Sequence, residues 1–178
     1  MSEPIPNARF DSARLTMRPQ TVDDAEALFE AYRDAELMRY WSSGPHADVA
    51  QTRDYLAARD QPSDWRGWTM CERATGAVVG TLAAHDSRPG VAAIGYMVLR
   101  RHWGQGYARE GVARLIEVLW AEGHRRIWAD TDPDNARSNA LLERLGFTRE
   151  GHLRGEWETH IGVRDSYIWG LLRGEGPA

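Results

Sequence analysis

Val91-Ala92-Ala93-Ile94-Gly95-Tyr96-Met97-Val98-Leu99 runs into Arg100-Arg101-His102-Trp103-Gly104-Gln105-Gly106-Tyr107-Ala108, and the joint between the two decides the fold. The first stretch is apolar, of strand length, and opens after the turn Ser87-Arg88-Pro89-Gly90; it reads as a central, buried strand over 91–99. Beyond the glycines, Val112, Leu115, Ile116 and Leu119 recur at helical spacing and Gly123 follows, which predicts a helix over about 107–122. Gly104 and Gly106 therefore fall at a helix N-terminus. Unpaired N–H groups and the helix dipole attract phosphate there, and the missing Cβ atoms let the backbone approach it. Arg101 adds a formal positive charge. A glycine pair alone leaves several folds open. The dinucleotide fingerprint wants a third glycine where Arg109 stands. A phosphate-binding P-loop needs a lysine, and all 22 basic residues are arginine, which also excludes a lysine Schiff base. A turn that merely changes direction is the remaining alternative.

A second pattern follows some thirty residues on: the strand Ile127-Trp128-Ala129-Asp130-Thr131, the turn Asp132-Pro133-Asp134-Asn135, a short helix to Leu145, and Gly146-Phe147 opening another strand. Together, Arg101-His102-Trp103-Gly104-Gln105-Gly106-Tyr107-Ala108 and the run from Asp134 to Phe147 resemble the two signature motifs of the GNAT N-acetyltransferases, in that order and at that separation. Glu150-Gly151-His152-Leu153-Arg154 and Asp165-Ser166-Tyr167-Ile168 resemble the closing strands of the RimJ/RimL branch, which acetylates protein N-termini and various small amines. The likeness covers roughly residues 15–173.

The resemblance implies one GNAT domain over 1–178 with its core at about 13–173. Its sheet would be mostly antiparallel and twisted, with a splayed parallel strand pair and flanking helices. It implies acetyl-CoA as donor. Met97, Val98 and Leu99 would offer backbone groups to the pantetheine arm, Arg101 and the amides from Trp103 through Gly104, Gln105, Gly106 and Tyr107 to Ala108 would hold the pyrophosphate, and Asn135 would bond the pantetheine from the second motif. Asp-Pro-Asp-Asn is also ordinary turn and helix-capping chemistry.

Acetyl transfer from a thioester needs a neutral amine, stabilisation of the developing oxyanion and a proton for the departing thiolate. Many relatives carry a proton-donating tyrosine seven residues after the motif asparagine; Leu142 stands there. Ser138 matches a serine of the RimJ/RimL branch and is the candidate donor, with Asn135 beside it, although helix serines commonly bond back to a main-chain carbonyl. The branch often has glutamate before Ile-Gly-Tyr, where this chain has Ala93, so no base is evident on that strand. An α-amine, with pKa about 7.7–8.0, holds roughly a tenth of its neutral form at pH 7, whereas preparing a lysine amine costs about 3 kcal/mol more. The missing base thus favours an α-amine or similarly acidic acceptor, deprotonated through water. Glu36 or His85 would end such a relay, against the commoner reading of both as solvated bystanders.

The acceptor pocket is expected between the early helices and the late hairpin, where Glu36, Tyr40, Trp41, Trp65, His85 and Trp157 are the candidate substrate-binding residues. Eight tryptophans are many for this length and suit stacking on a cationic or planar acceptor. Trp68, Trp120, Trp128 and Trp169 read as packing residues. Glu156 and Glu158 offer carboxylates to a positive group. The acceptor stays open among protein N-termini, aminoacyl compounds, polyamines and aminoglycoside-type drugs. Leu142 and Ala93 keep a second function open, an acetyl-CoA-binding sensor or scaffold with little turnover.

Composition agrees with these readings. The 178 residues, 42% of them hydrophobic, suit one domain with a substantial core, and a net charge of −4 argues against coating nucleic acid. One cysteine, Cys71, excludes an internal disulfide. No signal peptide, membrane span or metal is read, so a cytoplasmic location is expected, with no membrane partner; relatives often pair, which extends the expectation of a homodimer to this chain.

Along the rest of the chain, Leu15 and Met17 alternate in a strand over 14–18 that Pro19 is expected to stop. A helix capped by Thr21 carries the apolar stripe Ala25, Leu28, Phe29 and Tyr32, and a second helical piece holds Leu37, Met38 and Trp41. A third helix is expected over about 48–60, and strands at 65–72 and 78–85 flank the turn Ala74-Thr75-Gly76. Antiparallel strands followed by strand-helix-strand-helix-strand give an α/β mixed sheet.

Overall fold

The computed structural model describes residues 7–59 and 65–175; Asp60, the last residue of the expected third helix, lies outside them. The first strands are β1 (Phe10–Asp11) and β2 (Leu15–Pro19), followed by a 3-10 turn (Val22–Asp24) that leads directly into α1 (Ala25–Tyr32). Next come α2 (Ala35–Met38), α3 (Val49–Arg59), β3 (Trp65–Glu72), β4 (Val78–Arg88) and β5 (Val91–Val98). A 3-10 turn (Arg100–His102) precedes α4 (Tyr107–Ala121), then β6 (Arg126–Thr131), α5 (Ala136–Arg144), β7 (Thr148–Thr159) and β8 (Gly162–Leu172). Among the described residues the strands form one sheet in the order β1-β2-β3-β4-β5-β6-β8-β7.

Two boundaries differ from expectation for physical reasons. Pro19 ends β2 from inside, opposite Trp68 of β3. Its missing N–H is harmless because β1 pairs only with Thr16 and Met17 on the other side of β2. Gly146 closes α5 with φ +86° instead of opening a strand, and the Phe147 N–H returns to the Leu142 carbonyl.

Strand alternation sorts the core onto two faces. Leu82, Ile94 and Val98 pack with Val112, Leu115 and Leu119 of α4, while Met97 and Leu99 pack with Leu28, Met38 and Leu56 of α1 to α3. The parallel pair β5/β6 matters most for function. It is joined only at Val91↔Arg126, Ala92↔Ile127 and Ala93↔Trp128. Beyond Ala93, β5 continues beside β4 and β6 beside β8, leaving a split in the sheet. The α5 side of the split is latched: the Thr131 hydroxyl donates to Asn139 Oδ1 at 2.5 Å and Trp169 Nε1 donates to the same Thr131 hydroxyl at 2.8 Å.

Candidate functional site

The glycine turn sits at the start of α4 in the conformation glycine permits. Gly104 has φ +76° and Gly106, the N-cap, φ +82°. Its hydrogen bonds leave a particular set of donors unspent. The Trp103 N–H goes to the Arg100 carbonyl at 3.0 Å, so Trp103 cannot contribute the amide expected of it. The N–H groups of Gly104, Gln105 and Gly106 have no protein acceptor among the described residues, and those of Tyr107 and Ala108 are orphaned by position in the first helical turn. The turn is braced from β2: Arg14 bonds Glu110 at 2.7 Å and the Gln105 carbonyl at 3.0 Å, and lies 4.6 Å from the Tyr107 ring centroid. The Tyr107 phenol is buried and donates to Glu72 at 2.5 Å, so only its backbone faces outward. Arg101 is ion-paired with Glu30 on α1, both half-exposed, a pair that an incoming phosphate can displace at little cost.

Along β5 the backbone of Val98 is turned to the split as expected, whereas Met97 and Leu99 are turned away from it. Leu99 N–H donates to the Val79 carbonyl at 2.9 Å. In an antiparallel ladder both polar groups of a residue point the same way and alternate along the strand, so Leu99 and Met97 turn toward β4, and Ile94, Tyr96 and Val98 turn toward the split. The Val98 carbonyl is then taken by Trp103 Nε1 at 2.7 Å. Arg137, at the start of α5, covers the Trp103 ring at 4.2 Å, a cation beside the turn that no local motif singles out. Unspent amides at a helix N-terminus, left-handed glycines and an unpaired strand edge fit a diphosphate joined to an extended amide-bearing arm.

Asn135 is the N-cap of α5; its Oδ1 accepts the Ser138 N–H at 3.3 Å, the capping chemistry foreseen for it, while its Nδ2 has no partner among the described residues. Ser138 does not bond back along the helix through its hydroxyl. Its Oγ lies 2.6 Å from the Tyr96 Oη, across the split from β5. Burial pushes the Tyr96 phenol up to about 12, with the Ser138 hydrogen bond pulling the other way, so it stays protonated at neutral pH. Leu142 is fully buried in the α4-side core, and no proton donor occupies that position. Tyr96 was not among the expected site residues, because Ile-Gly-Tyr reads only as buried strand until α5 is laid against it.

The split opens into a cleft of about 770 Å³ that passes through the sheet. Asn135, Ser138, Tyr96 and Ile94 line it toward α5; Tyr40, Trp41, Trp65, His85 and Trp157 line it on the face of α1 to α3, together with Ala93, Trp128 and Asp130. The expected acceptor residues thus converge, with one exception. Glu36 is not part of the lining: it is held by Arg100, which also pairs with Asp34, the N-cap of α2. Trp128, expected to pack, lines the cleft instead and bonds Ser87 Oγ at 3.3 Å. Glu156 and Glu158 lie exposed on β7 away from the cleft. Trp157 Nε1 donates to Asp130 at 2.9 Å, and Trp65 stacks on His85 at 4.8 Å with rings 14° apart. Asp132 is gripped by Arg164 at 2.8 and 2.9 Å. Burial alone would raise its carboxyl, but Arg164 and the Asp134 N–H hold it below the usual carboxylate range. Among the described residues no helix is long and apolar enough to cross a membrane.

Residues 14–148 match the family model for the acetyltransferase (GNAT) domain. The chain is 33% identical over 168 residues to an uncharacterized N-acetyltransferase, p20, of Bacillus licheniformis, covering 91% of this chain and 94% of that one. It is also 33% identical over 75 residues, 38% of this chain and 39% of the other, to the ribosomal protein uS5-alanine N-acetyltransferase of Escherichia coli. The fold superposes on spermidine N-acetyltransferase from Vibrio cholerae, solved with CoA and spermine, at a TM-score of 0.80 and 18% identity over 92% of this chain and 98% of that one. The local likeness to the uS5-alanine enzyme fits the RimJ/RimL-like branch, and the chain belongs to the GNAT acetyltransferase family as an acetyl-CoA-dependent N-acetyltransferase.

Proposed function

We propose that the protein moves the acetyl group of acetyl-CoA to a primary amine carrying a single positive charge, a protein N-terminal α-amine or a small amine of similar acidity, by direct attack while both are bound. The observation that carries this reading is the cleft at the β5/β6 split, lined by Tyr96, Asn135 and Ser138 toward α5 and by an aromatic chamber on the face of α1 to α3, with the glycine turn following β5 in the chain. Bound acetyl-CoA supplies the activated acetyl group. The amides of Gly104 to Ala108, with Arg101 and Arg137, would take the pyrophosphate, and the split-facing groups of Ile94, Tyr96 and Val98, with Asn135 Nδ2, would take the pantetheine amides. The Ser138 hydroxyl, hydrogen-bonded to Tyr96, returns a proton toward the departing sulfur.

Charge in the cleft supports a singly charged acceptor. Asp130, Asp132 and Asp165 line it against Arg59, Arg66 and Arg164, so the formal charges cancel. Asp132 is already paired with Arg164, and Asp165 accepts from His152 and the Gly155 N–H. Asp130 remains, bonded only to neutral donors, to receive one ammonium beside Trp157 and Trp128. A polyamine in the same chamber would bring cations with no carboxylate to meet them. The test is thiol release from acetyl-CoA with an alanyl peptide bearing a free N-terminus, its N-blocked form, a lysine side-chain peptide and spermidine. Release with the free N-terminus and none with its blocked form supports the reading. CoA binding without release on any amine would support a sensor instead.

A further inference from the structure

We infer that His85 is the general base that prepares the acceptor amine. This rests on the acetyl-transfer reading above and assigns the base within it. His85 stands directly opposite Ala93 in the β4/β5 register, and Ala93 is the last residue of β5 still joined to β6. Opposed residues of an antiparallel pair point to the same face with Cβ atoms about 5 Å apart. His85 therefore projects into the chamber where the split begins, on the face of α1 to α3, over a floor kept low by Ala93 and Gly95; a Cβ at Gly95 would meet only open space. Among the described residues lining the cleft it is the one histidine. Its Nδ1 is buried with no hydrogen-bond partner, an atom that a ligand or water is left to satisfy. Trp65, stacked flat on the ring, fixes its plane.

Other groups of the chamber have different work. Asp132 and Asp165 are occupied by Arg164 and by His152 with the Gly155 N–H, and Asp130, which accepts from Trp157, is the anion that holds the acceptor's ammonium. The charged groups around His85 are Arg59 of α3, whose guanidinium lies 6.0 Å from the Trp65 ring, and, across the cleft, Asp130 of β6, Arg164 with its partner Asp132, and Asp165 with its partner His152. The α1 wall contributes the neutral phenol of Tyr32, raised by burial. The neighbouring Asp86 points to the opposite face, where it bonds His124 at 2.8 Å and approaches Arg66 at 3.8 Å.

In the step, the ammonium proton of the acceptor passes to the neutral imidazole, directly or across one water. The nitrogen lone pair then forms the N–C bond to the acetyl carbon as the donor's C–S bond breaks. The thiolate gains a proton from the Ser138 hydroxyl, and the second proton shed by the nitrogen passes through water to replace it on Ser138, giving an amide, a thiol and one proton that His85 passes to water. The base and the acid then work from opposite faces of the split.

The experiment uses the full chain with acetyl-CoA and whichever amine of the panel above it turns over fastest. His85→Gln is expected to lower kcat/KM about 10²- to 10³-fold. It should also abolish the acid-side limb of the pH profile, with the CoA dissociation constant and melting temperature held near wild type. Ala93→Glu in the His85→Gln background places a carboxylate on the facing position and is expected to restore at least tenfold. As a readout apart from turnover, the His85 ring signals in an NMR titration should shift on adding the amine to the CoA complex. An unchanged rate and profile in His85→Gln, or ring signals that ignore the amine, would overturn the assignment and leave the acetyl-transfer reading standing. No turnover by the wild type on any amine overturns both.

Discussion

Tyr96→Phe and Ser138→Ala, made singly and together, test whether the pair seen across the split acts as one proton-delivering unit. The Oη to Oγ distance of 2.6 Å makes a good neutral hydrogen bond. Such a bond contributes about 0.5–1.5 kcal/mol. If the phenol polarises the serine as its proton leaves, Tyr96→Phe should lower kcat about 2- to 12-fold, at 1.36 kcal/mol per tenfold. Ser138→Ala removes the hydroxyl proposed as proton donor to the sulfur and should cost about 10²- to 10⁴-fold, the range of general acid catalysis. Groups acting as a unit do not add, so the double variant should match Ser138→Ala within about twofold. Because burial holds the Tyr96 phenol at about 12, no basic limb from its ionisation should appear below about pH 11 in the wild type. The assay is pre-steady-state thiol release, with CoA affinity measured separately so that a lost cofactor contact is not mistaken for lost chemistry. A double variant whose loss is the product of the two single losses would refute the coupling. An unimpaired Ser138→Ala would remove serine from the chemistry altogether.

Three further outcomes follow from the geometry. Gly106→Ala, which forces an L residue into φ +82°, should cost about 1–2 kcal/mol and weaken CoA binding by calorimetry more than it lowers kcat at saturating donor. Asp24 is buried, a circumstance that by itself raises a carboxyl, but Arg18, the Thr21 N–H and the Thr69 hydroxyl outweigh it and hold the group below its ordinary value. Its contribution is thus full above about pH 4 and lost as pH falls through the lowered folded value; Asp24→Asn should cost about 2–3 kcal/mol in urea melts at pH 7 and show less acid sensitivity than wild type below pH 4. Leu142→Tyr, which restores a phenol at the position used by many relatives, should destabilise by about 1–3 kcal/mol because that side chain is fully enclosed, and should not rescue Ser138→Ala.

What the sequence made legible were the features written in local chemistry. The glycine turn, the α4 stripe and the Asn135 cap each declare themselves within a few residues, and the two motifs together carried the family, the cofactor and the mixed sheet. What stayed hidden depends on register and on pairing between distant segments. Met97 and Leu99 were expected to face the pantetheine, but the parity of hydrogen bonding to β4 is fixed by the single contact from Leu99 to Val79, which no local pattern announces. Glu36 read as a free carboxylate near the acceptor, until Arg100, 64 residues away, took it. Trp128 looked like core because alternate β6 residues are core; the sheet is split beside it, so its face opens to the cleft. Tyr96 and Ser138 are 42 residues apart and meet only because Thr131, Asn139 and Trp169 lock the start of α5 against β6 and β8.

The period of two along β5 also constrains how any catalyst built on this split must be arranged. Side chains at Ile94 and Tyr96 fall toward α4 and α5, and those at Ala93 and Met97 toward α1 to α3. One β5 residue can serve the leaving sulfur or the incoming amine, but not both, and residues serving the two must differ by an odd number in sequence. In the proposed arrangement the sulfur-side position is Tyr96, and the amine-side position nearest the junction is Ala93, which carries no polar group. A strand lacking a base at that site has only two neighbours from which to borrow one. On one side β6 presents Trp128 in register with Ala93, an indole with no basicity; on the other β4 presents His85. The small Ala93 side chain is what leaves room for the imidazole from the adjoining strand. If His85 does the work of a β5 carboxylate, Ala93→Glu combined with His85→Gln should cost far less activity than His85→Gln alone.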